Sequence, residues 1–397
     1  MKKFTKSFTQ QASIPEEGIA LAIDVMRSGR LHRYNVEPEE KSTTDQLEIA
    51  FADYMGMENC LACASCGYAL HIALRSVGVR SGDLVLCNGF TLAPVPGAIN
   101  NAGAVPVLVD IDDNLCIDLD DLELKANQSG AKYLLLSHMR GHIADMDKVI
   151  DICHRFDLTL IEDCAHTMGA RWDGKLSGSF GDVACFSTQT YKHMNSGEGG
   201  LLVTPHKTVM AKAIIFSGSY MLYDRHHAAP KAHEFKDVRL DTPNYSGRMD
   251  NLRAATLLPQ LTRLDADCKA WNLRHDIVAE VLSTSSKIKL TQRPDKEQYV
   301  ASSIQFNLPQ LEVSKFPLLV ERCANRGVVV KWFGSDTPES YTSKYDSWSY
   351  LNDDSRLKNT DQVLRTLLDM RLPLTFDEQD CGLIAQIIVE EVESMYD

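Results

Sequence analysis

A regular alternation of short apolar runs with helix-like segments, between about residues 59 and 204, constrains the fold of this chain more than any other feature. Parallel strands need long crossover connections, and these are usually helices that cover the faces of the sheet. The alternation therefore predicts an α/β fold with a mainly parallel sheet. The strand-like runs occupy residues 84–87, 105–109, 133–137, 159–161, 183–187 and 201–203.

After these runs the chain becomes irregular before a helical pattern returns. Residues 217–247 show little periodicity, and a segment this long indicates either a loop for substrate or subunit contacts or a plain surface loop. From Asp250 the helical pattern resumes, and Pro259 should interrupt and kink that helix.

The C-terminal third has a mixed pattern of its own. Strand-like runs at 302–308 and 328–332 and an amphipathic helix from about Glu378 indicate a second, smaller unit. We therefore predict a large domain at residues 1–256 and a small C-terminal α/β domain at residues 257–397.

Composition excludes several classes of protein. The chain has 397 residues, 44% of them hydrophobic, which is enough for two domains with a large core. Its net charge of −13 argues against a nucleic-acid partner, which would need a basic face. The N-terminus lacks an apolar leader region, and no apolar run approaches the length of a membrane span, so we expect no membrane partner.

The eleven cysteines are irregularly spaced and form no paired array of metal ligands. Cys60 and Cys63 make one Cys-x-x-Cys pair, but in a strand context they are expected to pack as small hydrophobic residues. We therefore predict no metal site, and reduced thiols in the cytoplasm.

The most informative local pattern surrounds Lys192. The run at 159–161 places Asp163 at the carboxyl end of a strand, where open α/β sheets bind their ligands. Ser187 precedes Lys192 by five residues, and the glycine-rich turn 197–200 follows it. A buried acid, a serine and a lone lysine in this order predict covalent attachment of pyridoxal 5'-phosphate (PLP) to Lys192. The alternative is a surface lysine beside a glycine turn.

Each of these residue types suits that chemistry. The aldehyde needs a neutral amine, which burial or nearby positive charge on Lys192 would provide by lowering its pKa. Asp163 would keep the pyridine nitrogen protonated, whereas Glu162 should point to the opposite face of the sheet. His166 is expected to stack on the ring or hydrogen-bond it; otherwise it is a satisfied core histidine.

The phosphate group needs backbone amides at the start of a helix. A short apolar strand runs into Ser65, Cys66 and Gly67, and a helical pattern of apolar residues follows. Ser65 and the amides of Cys66 and Gly67 would therefore face the phosphate. The alternative is that Ser65 is an ordinary helix cap.

These motifs resemble the DegT/StrS-type PLP-dependent aminotransferases, many of which make amino sugars, and the resemblance covers nearly the whole chain. It implies the PLP-dependent transferase fold type I, a mainly parallel seven-stranded sheet sandwiched by helices plus a smaller C-terminal α/β domain. Besides Lys192, it is carried by the pairs Gly82-Asp83, Phe90-Thr91, Glu162-Asp163, Gly181-Asp182, Arg248-Met249 and Leu372-Pro373 and by the runs 103–110 and 197–200.

The resemblance assigns roles to individual residues. Lys192 corresponds to the Schiff-base lysine, Asp163 to the partner of the pyridine nitrogen and Ser187 to a phosphate ligand. After Ser65 the family usually has glycine and threonine, and this chain has Cys66 and Gly67 instead. Leu92 stands where the family has an aromatic residue that stacks on the ring.

The resemblance also implies a homodimer with shared active sites. The family commonly places an asparagine two residues before the arginine of its Arg-Met motif, where it reaches the phosphate in the partner subunit. Here Ser246 occupies that position and Asn244 lies just upstream, so either one is a candidate, together with Arg248. The alternative for Arg248 is an ion pair with Asp250 at the start of a helix.

The function implied is transfer of an amino group, from an amino-acid donor such as L-glutamate, to a keto group. The acceptor would be a sugar, a nucleotide sugar or a cyclitol-like compound. The alternative is a divergent protein of the same fold with another PLP reaction or a regulatory role. Retention of Lys192 favours catalysis, because its loss is the simplest route to either alternative.

Overall fold

The computed structural model describes residues 2–351 and 356–396, which form α-helices, β-strands and short 3-10 turns. The α-helices are α1 (Glu16–Ser28), α2 (Thr43–Met55), α3 (Cys66–Ser76), α4 (Pro94–Asn101), α5 (Leu119–Ser129), α6 (Met146–Phe156), α7 (Lys207–Ser217), α8 (Asn251–Leu282), α9 (Phe316–Asn325), α10 (Lys358–Leu364) and α11 (Glu378–Glu393).

The strands lie between these helices in chain order. They are β1 (Cys60–Cys63), β2 (Leu84–Asn88), β3 (Val105–Val109), β4 (Tyr133–Ser137), β5 (Thr159–Asp163), β6 (Arg171–Trp172), β7 (Lys175–Leu176), β8 (Val183–Ser187), β9 (Gly200–Val203), β10 (Lys289–Leu290), β11 (Glu297–Gln298), β12 (Ser303–Asn307), β13 (Lys331–Trp332) and β14 (Leu367–Arg371).

A seven-stranded sheet in the order β1-β9-β8-β5-β4-β2-β3 forms the centre of the fold. The pairs from β8 to β3 are parallel, and β9 runs antiparallel to both of its neighbours. All six strand-like runs predicted from the sequence become strands of this sheet. The predicted fold class is thus confirmed.

Both faces of the sheet are buried, which explains why its strands are almost continuously apolar. Neighbouring residues along one strand enter opposite clusters: Leu134 packs on one face and Leu135 on the other. The same alternation holds in β5, where Glu162 and Asp163 point to opposite faces as predicted. Ser137 pairs with Asp163 across β4 and β5, so both side chains lie at the carboxyl edge of the sheet.

The C-terminal part is built on a four-stranded antiparallel sheet in the order β10-β12-β14-β13. Its buried cluster takes residues from α8, α9 and α11, as well as Phe4 and Phe8 from the N-terminus. The proposed boundary after residue 256 falls inside α8, which contributes buried residues to both the large and the small cores. The predicted C-terminal helix from Glu378 is present.

Two local predictions change in the structure. Pro259 does not interrupt α8, which continues for 32 residues because α1, α2 and α11 pack along it. The run at 328–332 is a strand only over Lys331–Trp332. The segment 217–247 is irregular as predicted: after α7 ends at Ser217, its helical elements are the short 3-10 turns Leu222–Arg225 and Ala232–Phe235.

Two further observations concern the polypeptide as a whole. No helix in residues 2–351 and 356–396 is long and apolar enough to cross a membrane. The cysteines form no disulfide bond among the residues that the structure describes, and Cys60 and Cys63 are fully buried in β1 as the sequence predicted.

Candidate active site

A cavity of about 660 Å³ opens at the carboxyl edge of the large sheet, where β4, β5 and β8 end. It contains most of the site residues that the sequence predicts and several that it does not. The residues that line it are Ser65, Cys66, Gly67, Tyr68, Leu70, Leu92, Pro94, Val95, Ser137, Arg140, Asp163, Ala165, His166, Ser187, Gln189, Tyr191, Lys192, Glu198, Ser340, Tyr341 and Arg371.

Lys192 lies in the loop between β8 and β9, which is closed on itself by backbone hydrogen bonds. The amide of Thr188 donates to the carbonyl of Gly199, and that of Thr190 donates to the carbonyl of Gly197. Burial, followed by the positive charge of Arg140, lowers the pKa of Lys192 to about 8. A substantial fraction of this amine is therefore neutral near physiological pH, as attack on an aldehyde requires.

His166 contacts that amine directly, with its Nε2 atom 2.7 Å from Lys192 Nζ. Burial and the charge of Lys192 hold the pKa of His166 well below its usual range, so the imidazole is neutral. A neutral ring protonated on Nδ1 accepts a hydrogen bond from the amine through Nε2. His166 thus belongs to the site rather than to a separate core.

Asp163 is held by two donors at the end of β5. Its Oδ2 atom accepts a hydrogen bond of 2.8 Å from Ser137 Oγ, and its Oδ1 atom accepts one of 3.1 Å from the amide of Ala165. Ser137 Oγ in turn accepts from Thr91 Oγ1 at 2.8 Å. Burial raises the pKa of Asp163, which means that a cationic group placed against this carboxylate would relieve an electrostatic cost.

Glu162, the neighbour of Asp163, lies on the opposite face of the sheet, as the alternation along the strand predicts. It points away from the cavity and accepts hydrogen bonds from the amides of Gly178, Phe180 and Gly181 and from His138. These hydrogen bonds satisfy its carboxylate within the protein, so Glu162 has a structural role.

The first turn of α3 forms one wall of the cavity. Ser65 Oγ caps the helix by accepting a hydrogen bond of 3.1 Å from the amide of Tyr68, and Ser65 also lines the cavity, so its contact with a phosphate stays a prediction. The amides of Cys66 and Gly67 belong to the first turn, where no carbonyl of the helix can reach them. Gly200 lets β9 approach this turn, since a Cβ atom there would lie 2.6 Å from the nitrogen of Cys66.

Two further predicted residues line the same cavity. Ser187 ends β8, and its Oγ atom accepts a hydrogen bond of 3.3 Å from the amide of Gln189. Leu92 follows Thr91 and presents an aliphatic side chain to the cavity.

The segment 244–248 lies outside the cavity of its own chain. The carbonyl of Gly247 accepts a hydrogen bond from the amide of Ala64, which brings this segment next to the start of α3. Asn244 and Ser246 are exposed. Their predicted contact with a second subunit stays a prediction.

Arg248 donates from Nη1 to the carbonyl of Gly218 at 2.6 Å and lies over the ring of Tyr220. The alternative of an ion pair with Asp250 is wrong, because Asp250 caps α8 and pairs with Arg253 instead.

Two buried clusters have the residue types of a metal site but are already satisfied by the protein. Arg33 occupies the first, where its guanidinium donates to both Glu48 and Asp45. The second consists of His138, Glu162 and Cys164, and the carboxylate of Glu162 already accepts hydrogen bonds from backbone amides.

Sequence reasoning missed several residues of the cavity wall. Arg140 forms a buried ion pair with Asp369, and Tyr341 donates to the same carboxylate at 2.7 Å. Arg371 stacks its guanidinium on Tyr191 and Tyr341. Ser137 could have been found from its place at the end of a predicted strand, but Tyr341 and Arg371 come from the C-terminal part of the chain and carry no local signal.

The sequence of the chain is similar to that of a known protein family and of individual curated proteins. A sequence profile of the DegT/DnrJ/EryC1/StrS aminotransferase family matches residues 13–388. GDP-perosamine synthase of Caulobacter vibrioides is 35% identical over 221 residues, covering 55% of this chain and 56% of that protein. L-glutamine:scyllo-inosose aminotransferase of Streptomyces griseus is 33% identical over 244 residues, covering 61% of this chain and 57% of that protein. The chain thus spans about half the length of the curated relatives it matches.

Solved structures agree over nearly the entire fold. The aminotransferase TlmJ from Streptoalloteichus hindustanus superposes with a TM-score of 0.81 at 19% identity, covering 98% of this chain and 99% of that one. The 3-amino-5-hydroxybenzoic acid synthase also gives a TM-score of 0.81, at 24% identity, covering 97% of this chain and 98% of that one. At these identities the similarity establishes the fold.

Proposed function

The chain belongs to the DegT/DnrJ/EryC1/StrS aminotransferase family, and from this premise we propose that it is a PLP-dependent aminotransferase. It transfers an amino group from an amino-acid donor to a keto group of a sugar, nucleotide sugar or cyclitol-like acceptor. The observation that carries the proposal is the shared cavity of Lys192, Asp163 and the first turn of α3.

The residues present fit PLP at each of its functional groups. The Lys192 amine, with a pKa of about 8, suits the aldehyde, and the carboxylate of Asp163 suits the protonated pyridine nitrogen. The amides of Cys66 and Gly67, together with Ser187, suit the phosphate. When bound, PLP supplies the electron sink and the carbonyl carbon that carries the amino group between substrates.

The protein residues divide the remaining tasks. Lys192 Nζ is the site at which a proton is taken up and returned, and His166 orients that amine through the contact of 2.7 Å. Thr91 and Ser137 fix the carboxylate of Asp163 through consecutive hydrogen bonds. Leu92 lines the cavity with an aliphatic side chain, so no aromatic ring stacks on the cofactor from that position.

The proposed assembly is a homodimer with shared sites. Asn244 and Ser246 are exposed, and the hydrogen bond between the backbones of Ala64 and Gly247 brings their segment next to the start of α3. The irregular segment 217–247 also exposes large apolar side chains, namely Tyr220, Met221, Leu240 and Tyr245. A second subunit would cover this surface. Asn244, Ser246 or Arg248 would then reach the phosphate in the partner. The cysteines form no disulfide bond in the described part of the chain, and this supports a cytoplasmic location.

The names of the relatives guide the choice of substrates. One is named for L-glutamine and scyllo-inosose, and another makes GDP-perosamine. We propose L-glutamate or L-glutamine as the donor, and a keto cyclitol or a keto sugar as the acceptor. A net charge of −13 gives no support for a nucleic-acid partner.

Two experiments test the proposal. Borohydride reduction of the PLP-loaded protein should fix the label on the peptide that contains Lys192; a label elsewhere would overturn the attachment. The protein is then converted to its amino form with L-glutamate and exposed to a keto cyclitol, a nucleotide-linked keto sugar and 2-oxoglutarate. Return of the aldehyde-form absorbance with either sugar-like compound supports the proposal. Return with 2-oxoglutarate alone, or with none of them, contradicts it.

A further inference from the structure

We infer that Arg371 is the carboxylate anchor of this active site, a role that rests on the proposed function. Its guanidinium lies in the cavity wall with its Cζ atom 3.7 Å from the ring centroid of Tyr191 and 4.9 Å from that of Tyr341. The carboxylate would belong either to the amino-acid donor or to a carboxylate-bearing keto acceptor.

The guanidinium of Arg371 is not used elsewhere in the part of the chain that the structure describes. Within residues 2–351 and 356–396 it makes no ion pair and no hydrogen bond; its recorded interactions are the two contacts with aromatic rings. A guanidinium has five N–H donors in a planar fork, and stacked rings cover its faces but leave its edges free. Arg371 therefore presents unsatisfied donors within a half-buried site.

Arg140 is the natural comparison because it lines the same cavity. Its charge is already balanced by Asp369, which also accepts hydrogen bonds from Tyr341 and Gln305. The sheet register explains the difference between the two arginines. Asp369 and Arg371 lie on the same side of β14, but the carboxylate of Asp369 pairs with Arg140, so among the described residues Arg371 has no acidic partner.

Arg371 is also close enough to the reacting amine to act on a substrate held there. Its charge contributes to the lowered pKa of Lys192, and Tyr191, on which it stacks, is the residue directly before that lysine. In an α-amino acid the carboxylate and the amino group share one carbon atom. A carboxylate bound by Arg371 would thus bring the amino group toward Lys192.

The two tyrosines make the anchor specific for a planar anion. Rings against the guanidinium limit its rotation, so the free edge keeps a fixed direction. A fixed fork favours a carboxylate that accepts two parallel hydrogen bonds. Asp163 does not compete for the fork, because its oxygens accept from Ser137 and Ala165.

The test measures binding of glutarate, a dicarboxylate without an amino group, to the PLP-loaded protein by calorimetry. Arg371→Gln should weaken glutarate binding by about tenfold to a hundredfold, as expected for the loss of a charge-assisted pair of hydrogen bonds. Arg371→Lys, which retains charge but not the fork, should restore part of the affinity. Arg322→Gln is the matched control, since Arg322 is a half-buried arginine of the small domain that donates to Ser394.

Half-reactions then identify the source of the carboxylate. If Arg371→Gln needs more L-glutamate for saturation but the same concentration of a neutral keto acceptor as the wild type, Arg371 binds the carboxylate of the donor. If only the saturating concentration of a carboxylate-bearing acceptor rises, Arg371 binds the carboxylate of the acceptor. Glutarate affinity within twofold of the wild type, in a variant with an unchanged melting temperature, would overturn the inference.

A second variant covers the case in which Arg371→Gln fails to fold. Tyr191→Leu retains the charge but removes the nearer ring, and should weaken glutarate binding severalfold; unchanged binding would overturn the inference. Glutarate binding needs no turnover. If no amino transfer is found but binding depends on Arg371, the proposed function fails and the anchor stands. If transfer occurs without that dependence, the anchor alone fails.

Discussion

Lys192 Nζ and His166 Nε2 lie 2.7 Å apart inside a cavity that also contains the carboxylate of Asp163. The pKa of Lys192 is lowered to about 8 and that of His166 lies well below its usual range, so near physiological pH the amine exchanges between its charged and neutral forms beside a neutral imidazole. This arrangement suits an amine that must alternate between nucleophile and proton carrier.

The lowered pKa of Lys192 predicts a pH-dependent stability of the cofactor-free protein. An unfolded lysine has a pKa of about 10.4. Between pH 8 and that value the unfolded chain binds more protons than the folded one, so the lysine makes the free energy of unfolding rise with pH. Lys192→Met should remove this dependence, and should be more stable than the wild type at pH 7 by up to about 3 kcal/mol.

The measurement is urea unfolding of both cofactor-free proteins at pH 7 and pH 10. The advantage of Lys192→Met should shrink as the pH rises, because the wild-type amine loses its buried charge. Lys269→Met, at an exposed position, should show no such trend. A stability difference between Lys192→Met and the wild type that stays constant over this range would contradict the lowered pKa.

Asp163→Asn should keep the fold but slow amino transfer by roughly a hundredfold or more. The amide oxygen can still accept the hydrogen bond from Ser137, whereas the amide nitrogen cannot accept one from the backbone of Ala165, so the variant loses the negative charge and one of the two hydrogen bonds. The transfer rate and the melting temperature are measured together. A variant that is folded and turns over at nearly the wild-type rate would show that another group holds the pyridine nitrogen.

The hydrogen bonds from Thr91 to Ser137 and from Ser137 to Asp163 predict non-additive effects. Ser137→Ala removes a donor from the carboxylate and should reduce the transfer rate by about tenfold. Thr91→Val should have a smaller effect, because Thr91 acts through Ser137. The double variant should therefore be no slower than Ser137→Ala alone. If the reduction in rate of the double variant equalled the product of the two single reductions, Thr91 would act on the site independently of Ser137.

Much of this site could be predicted because its residues stand at strand ends and helix starts. Asp163 and Ser187 end apolar runs, and Ser65 begins a helical pattern, so each position follows from a local rule about α/β sheets. The seven-stranded sheet could also be predicted, because burial on both faces makes its strands almost continuously apolar in the sequence.

The rest depends on contacts between distant parts of the chain. Arg371 reaches the cavity only because β14 pairs with β12 and Tyr341 lies across the same opening. The contact between Arg371 and Tyr341 leaves no periodic pattern in the sequence. Pro259 fails as a predicted break for a similar reason, because packing along a 32-residue helix outweighs one missing backbone donor.

Gly200 provides a test of the wall that faces the predicted phosphate position. A Cβ atom there would lie 2.6 Å from the nitrogen of Cys66 and 2.7 Å from the carbonyl carbon of Ser65. Both are backbone atoms, so the start of α3 must shift. Gly200→Ala should therefore weaken PLP retention during dialysis and destabilise the protein by about 1–3 kcal/mol.

The control is Gly97→Ala in α4, where an added Cβ atom would meet nothing within 4 Å. That variant should retain PLP and be equally or more stable, because alanine favours a helix over glycine. Unchanged PLP retention in Gly200→Ala would argue against the start of α3 as the phosphate site.

The proposed sharing of sites between subunits predicts complementation between two inactive variants. Lys192→Ala lacks the reacting amine, and Arg248→Ala lacks the guanidinium proposed to reach the partner's phosphate. In a hybrid dimer both losses fall on one site and the other site is complete. An equal mixture of subunits, exchanged to equilibrium, should therefore recover about a quarter of the wild-type activity.

Arg248 also stabilises its own chain through the carbonyl of Gly218 and the ring of Tyr220, so loss of activity in Arg248→Ala could arise locally. The hybrid separates these causes. A local defect would follow the Arg248→Ala chain, whose intact Lys192 would then remain in a damaged site, and mixing would restore nothing. Each parent variant is checked for its melting temperature and oligomeric state before mixing. Confirmed hybrid dimers without recovered activity, or a monomer that turns over at the full rate, would exclude the shared site.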